Sequence, residues 1–221
     1  MPGYFCSKIT SLLLPPNHIP LQVFVDTFRS CAKQAGIGDL YLNACRCPDD
    51  WDVLANGFDG MIGSEFSKMR YVTAKKLYKH TIKQRIINKI RPYFINVNKW
   101  NFNFEERTSP LIVDYKKARN YLLPKEKYPF DYFPCVINDW DNTARAGNKS
   151  LILHESTPAL WQEHLQEACK YVENNTREKQ IIFIKSWNEW AEANYLEPDT
   201  KWGFGYLKVV KIIKEKFNKV N

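Results

Sequence analysis

The chain has 221 residues, 44% of them hydrophobic and 25% charged, a balance that excludes disordered, collagen-like and disulfide-scaffold classes and leaves room for one domain with a real core. Thirty-two Lys and Arg against 24 Asp and Glu give a net charge of +8, and no apolar run approaches the roughly 18 residues that a membrane helix needs. The first residues, Met1 to Leu14, lack the basic and long apolar regions of a secretion signal, so a cytoplasmic location is expected and the six scattered cysteines are read as reduced thiols.

Taken in chain order, a strand is expected near Tyr4 to Leu14, ahead of the first clear helix. From Pro20 to Gly36 the apolar residues Leu21, Phe24, Val25, Phe28 and Ala32 recur at helical spacing, and Gly36 supplies a C-terminal stop. Asp39 to Cys45 and Phe58 to Ile62 are short, apolar and bounded by turn signals, which predicts buried strands. Phe133 to Asn138 and Gln180 to Ser186 read the same way, and Thr157 followed by Pro158 opens a helix between them with Leu160, Trp161, Leu165, Ala168 and Val172 on one face. A last helix spans about Phe204 to Lys219.

Short buried strands alternating with amphipathic helices predict an α/β fold built of parallel βαβ units. No Gly-x-Gly-x-x-Gly or Walker sequence follows any of these strands, so nothing stands ready to cradle a dinucleotide or nucleotide phosphate, and a section of a (β/α) barrel fits better. No linker divides the chain, and residues 1–221 are read as one domain.

Between Phe66 and Phe104 lie ten basic residues and no acidic one. The plain reading is a solvated helix, Thr73 to Ile90, with Leu77, Ile82, Ile86 and Ile90 turned inward. The functional reading is peripheral contact with an anionic membrane or a phosphate-bearing lipid carrier. No nucleic-acid-binding signature accompanies the charge, so nucleic acid is not expected as a partner.

Two polar clusters each follow an expected strand. Residues 187–199 gather the carboxylates Glu189, Glu192 and Glu197, the rings Trp187, Trp190 and Tyr195, and the amide of Asn188. Flat rings cover sugar C–H faces, and forked polar groups read hydroxyls, which makes this a candidate carbohydrate site at the C-terminal ends of barrel strands. Glu189 and Glu192 are three residues apart, and two carboxylates at one glycosidic bond divide the work of acid and base, with like-charge proximity helping one of them to keep its proton. The plain alternative is a solvated loop whose tryptophans pack on the rim.

The second cluster is Asp139 to Arg145, with Trp140, Asp141, Asn142 and Arg145 as candidate contacts to sugar hydroxyls or phosphate. An Asp141–Arg145 ion pair that merely orders the loop is the plain alternative. Asp139-x-Asp141 is too common a spacing to assign a metal, no histidine stands at ligand spacing from another, and neither metal nor cofactor is expected.

Together, FPCVINDWDNTAR, then IFIKSWNEWAEANYLEPD and GFGYL, resemble the C-terminal half of the WbsX-type glycosyltransferase family, also described as the glycoside hydrolase family 99-like domain. The resemblance runs from about Leu21 to Leu207 and is weaker before Phe133. It implies a (β/α)8 barrel related to endo-α-mannosidases, of which this chain supplies only the C-terminal half. The implied role is in O-antigen, capsule or exopolysaccharide synthesis, with a glycan or sugar donor as substrate.

In those hydrolases a Glu-Trp-x-Glu segment carries catalysis, and it matches Glu189-Trp190-Ala191-Glu192. The resemblance therefore implies Glu192 as general acid/base and Glu189 as the base that helps the substrate 2-hydroxyl attack its own anomeric carbon. Ala191 stands where those hydrolases often have His, and Ala193 where both groups usually have Gly. An endo-α-mannosidase-like hydrolase and a non-catalytic glycan-binding fragment are the alternative readings. A half-barrel leaves apolar surface and strand edges uncovered, which predicts self-association or pairing with a separate N-terminal half.

Overall fold

The computed structural model describes residues 4–8, 21–45, 47, 51–63, 65–66, 69 and 109–220. Its centre is a parallel sheet of five strands in the spatial order β1 (Tyr4–Lys8), β2 (Tyr41–Cys45), β3 (Gly60–Gly63), β5 (Asp131–Ile137) and β7 (Phe183–Lys185). Each strand pairs with the next of this series along the chain, the arrangement that consecutive βα units produce. All five coincide with strands expected from sequence, with shifted ends: the fourth begins earlier, at Asp131, and the fifth is shorter, at Phe183–Lys185. The expected helix Thr73 to Ile90 lies outside the described residues.

Alternation along the strands separates two faces. Leu42, Ala44, Met61 and Tyr132 point to one side and are buried with Val25 of α1 (Leu21–Gln34). Val136 lies on the same side, packed with Trp161, Leu165 and Ala168 of α4 (Pro158–Val172) and with Tyr206, Val209 and Ile213 of α5 (Gly205–Val220). Burying these apolar stripes is what holds helices to sheet. On the opposite face the rings of Tyr41, Phe133 and Phe183 form an edge-to-face chain, with centroids 6.1 and 6.4 Å apart. There the Tyr41 hydroxyl donates to Asp131, which also receives Lys179 at 2.6 Å.

The helix ends follow local chemistry. Gly36, at φ +73°, ends α1 in a Schellman motif in which Ile37 N–H reaches the Ala32 carbonyl and Gly36 N–H reaches that of Lys33. The Thr157 hydroxyl accepts from Leu160 N–H, and Pro158 opens α4. His164, on the buried side of α4, packs against Tyr115 and Trp161. Burial, and secondarily Arg119, pushes its imidazole down to about 3, so it is a neutral core residue.

Besides the two-residue strands of a hairpin beyond β7, the sequence reading missed β4 (Leu111–Asp114) and β6 (Leu151–His154), which pair in parallel as a separate small sheet. With α2 (Tyr115–Arg119) they bury Leu111, Val113, Tyr115, Leu151 and Leu153 around Trp140 and Ile137. Cys45 is disulfide-bonded, which corrects the expectation of uniformly reduced thiols.

Candidate functional site

The site lies where β5 and β7 end. Beyond β5 the chain runs through Asn138, Asp139 and Trp140 into α3 (Thr143–Ala146). The small sheet fixes this segment from one side: Leu153 N–H donates to the Trp140 carbonyl at 2.7 Å, and Leu151 N–H to Asn142 Oδ1 at 3.0 Å. Beyond β7 the peptide bond Lys185–Ser186 is cis. The chain then folds back as a tight antiparallel hairpin, β8 (Asn188–Glu189) against β9 (Asn194–Tyr195), closed by a single 3-10 turn, Trp190–Glu192. Ala193 completes the turn at φ +48°, a left-handed conformation that favours glycine.

One side chain joins the two strand ends. Asn194 is fully buried, and its Nδ2 donates to Asn138 Oδ1 at 2.8 Å, the Lys185 carbonyl at 2.9 Å and the Asp139 carbonyl at 3.0 Å. Asn138 Nδ2 in turn donates to the Tyr195 carbonyl at 2.6 Å. The hairpin is thereby bolted to the end of β5, and Asp141 N–H adds a bond to the Glu192 carbonyl at 2.8 Å.

This scaffold brings Glu192, Arg145, Lys185 and Trp140 together. Glu192 is buried; its Oε1 accepts from Arg145 at 2.5 Å and its Oε2 from Lys185 at 3.0 Å. Lys185 Nζ also stands 4.5 Å from the centroid of the Trp140 ring, a cation–π distance. Arg145 thus pairs with Glu192, while Asp141 Oδ1 caps the start of α3 by accepting from Thr143 N–H. Asn142 is spent on the Leu151 backbone, which makes it a scaffold residue in this arrangement.

A second group lies along the hairpin. Trp190 stacks on Tyr195 with centroids 3.7 Å apart and planes at 18°, and its indole N–H donates to Glu197 at 2.5 Å. The indole remains half exposed, 50%, so it is a rigid platform with one face to solvent. Trp187 is equally exposed, while its carbonyl receives Leu196 and Glu197 N–H. Asn188 is exposed at the start of the hairpin. Glu189 is partly buried there, its N–H held by Ser186 Oγ at 3.2 Å.

Two residues of the site were missed in the sequence. Lys185 reads as the polar end of an apolar strand, and only the register that sets Ile137 beside Lys185 brings its ammonium to Trp140 and Glu192. Asp139 is a carboxyl of the site whose proton affinity the fold raises. Burial first, then Asp141 and Asp199, push it up to about 6 against the opposing Trp140 N–H and Lys201. Its place in an Asp-x-Asp pair just past a strand was the available signal.

Carboxylates, cations and a fixed aromatic face at the ends of parallel strands define a site suited to polar ligands that also present flat apolar surface, as sugars do. The family model for Glycosyltransferase WbsX matches residues 8–210, and the chain belongs to this family. It is 25% identical over 190 residues to proteins described as "Uncharacterized protein WxcX" from two Xanthomonas campestris pv. campestris strains, ATCC 33913 and B100. Those alignments cover 83% of this chain and 23% of each relative, so the chain spans about a quarter of the length of the curated relatives it matches. A solved structure described as a "Glycoside hydrolase-like protein" superposes with a TM-score of 0.46 and 16% identity, over 91% of this chain and 50% of that one.

Proposed function

We propose that the chain is a carbohydrate-active part of a glycosyltransferase of bacterial surface-polysaccharide synthesis, working in the cytoplasm or at the inner face of the membrane. Family membership supports the class. The observation that carries the reading to this site is the Trp190 platform, locked by Tyr195 and Glu197 and set one turn from the buried Glu192. A ring that loses no freedom on binding presents its face to sugar C–H groups at low entropic cost. Glu192 is the proposed acid/base and Glu189 the proposed base. Asp141, Arg145, Trp187, Asn188 and Tyr195 border the glycan, Trp140 is a buried ring that steadies Lys185 beneath them, and Asn142 and Glu197 hold the segments that border it.

In the same reading the five parallel strands are one side of a (β/α)8 barrel, and a separate N-terminal half or a second copy supplies the rest. Glycan binding without turnover is the second reading, favoured by the engagement of both Glu192 oxygens with cations.

Titration of the chain with surface-polysaccharide oligosaccharides, followed by tryptophan fluorescence, tests the site. Trp190→Ala is expected to weaken binding about tenfold, the loss of one stacking face. Unchanged affinity in that variant removes Trp190 from the site, and no response to any saccharide in the unaltered chain refutes the reading. Transfer from a labelled sugar donor, abolished by Glu192→Gln, separates the transferase from the binding protein.

A further inference from the structure

Glu192 is held in an unequal arrangement: one carboxylate faces two cations, each on its own oxygen. Arg145 approaches from the outside, 62% exposed, and uses only Nη2 on Glu192, which leaves the rest of its guanidinium fork directed elsewhere. Lys185, 26% exposed, approaches from the strand end and is steadied by the Trp140 face. The ionisable group closest along the chain on this side, Asp141, is turned to the Thr143 amide. Asp139 is coupled to Asp141, Asp199 and Lys201 rather than to the Arg145–Glu192–Lys185 group.

Two oxygens of one phosphoryl group span nearly the distance between the oxygens of a carboxylate, and Arg and Lys are the usual pair that binds them. Such a group carries more charge than Glu192 and meets cations that are already placed.

We propose that Arg145 and Lys185 form a phosphoryl-binding subsite in which the phosphate of a sugar phosphate or sugar diphosphate replaces the Glu192 carboxylate. This rests on the carbohydrate reading only for the sugar, not for the phosphate. Arrival of the phosphate transfers both cations to the ligand and frees the Glu192 carboxylate to take a proton from an acceptor hydroxyl. Donor binding and release of the acid/base group are then one event.

Calorimetric titration of the full chain with inorganic pyrophosphate tests the subsite. Arg145→Ala is expected to weaken binding about tenfold, the scale of one charge-assisted bond, and Arg145→Lys to weaken it less. Glu192→Gln is expected to tighten binding about tenfold, because it removes the competing charge and keeps the shape. A structural salt bridge with no ligand role gives no pyrophosphate binding in any of the four proteins. That result, or weaker binding in Glu192→Gln, overturns the proposal.

Saccharide binding without any pyrophosphate response refutes the subsite and leaves the carbohydrate reading intact. Pyrophosphate binding with the expected signs but no saccharide response supports the subsite and refutes that reading. Cosedimentation with phosphatidylglycerol vesicles identifies the source of the phosphate. Loss of cosedimentation in Arg145→Ala assigns the subsite to a lipid-linked phosphate, and indifference to Arg145, alongside the expected pyrophosphate pattern, assigns it to a soluble donor.

Discussion

Replacing Asp139 with Asn should change how the stability of this fold depends on pH. The carboxyl stands at about 6 against an ordinary 3.8, mainly through burial at the end of β5, with Asp141 and Asp199 adding to it. A displacement of that size disfavours the ionised form by about 3 kcal/mol. Water reaching the partly exposed side chain reduces the effect to about 2 kcal/mol. Between about pH 4 and 6 the folded chain keeps a proton that the unfolded chain has lost, so this group favours folding most below about pH 4 and loses that contribution as the pH rises through 6. Asn keeps an oxygen for the Trp140 N–H, which donates at 2.8 Å, and carries no charge. Urea unfolding followed by tryptophan fluorescence should therefore show Asp139→Asn more stable than the unaltered chain by about 2 kcal/mol at pH 7, with the two converging near pH 4. A difference independent of pH would refute the assignment of the raised carboxyl to Asp139.

Two further substitutions probe the hairpin that carries the site. Asn194→Ala removes the buried amide that joins Asn138, Asp139 and Lys185, and should cost about 2–3 kcal/mol in the same unfolding assay while weakening saccharide and pyrophosphate binding together. Ala193→Gly relieves the left-handed residue after the 3-10 turn and should raise stability by about 1 kcal/mol, read as a higher thermal midpoint.

Glycine stops, the Thr157–Pro158 helix start and apolar runs of strand length act within a few residues, so the main helices and the five parallel strands were legible before any contact was known. The same holds for the two polar clusters past their strands, and for Trp190, Tyr195 and Glu197 as neighbours on a short segment. The pairing of β4 with β6 was not legible, because the partners lie forty residues apart.

Nor could spacing reveal how the clusters meet. Arg145 stands four residues from Asp141, yet it crosses to Glu192, 47 residues on, because Asn194 fastens the hairpin to the end of β5 and brings that carboxylate within 2.5 Å. Lys185 joins them only through strand register. The sequence by itself determined which segments are strands and helices and which residues carry charge and aromatic surface at their ends, since these follow from local periodicity and residue chemistry. Tertiary structure alone decided which charges pair, which amides are consumed as scaffold, and which carboxyl holds its proton to higher pH, because pairing and desolvation depend on distances across the sheet that no single segment encodes.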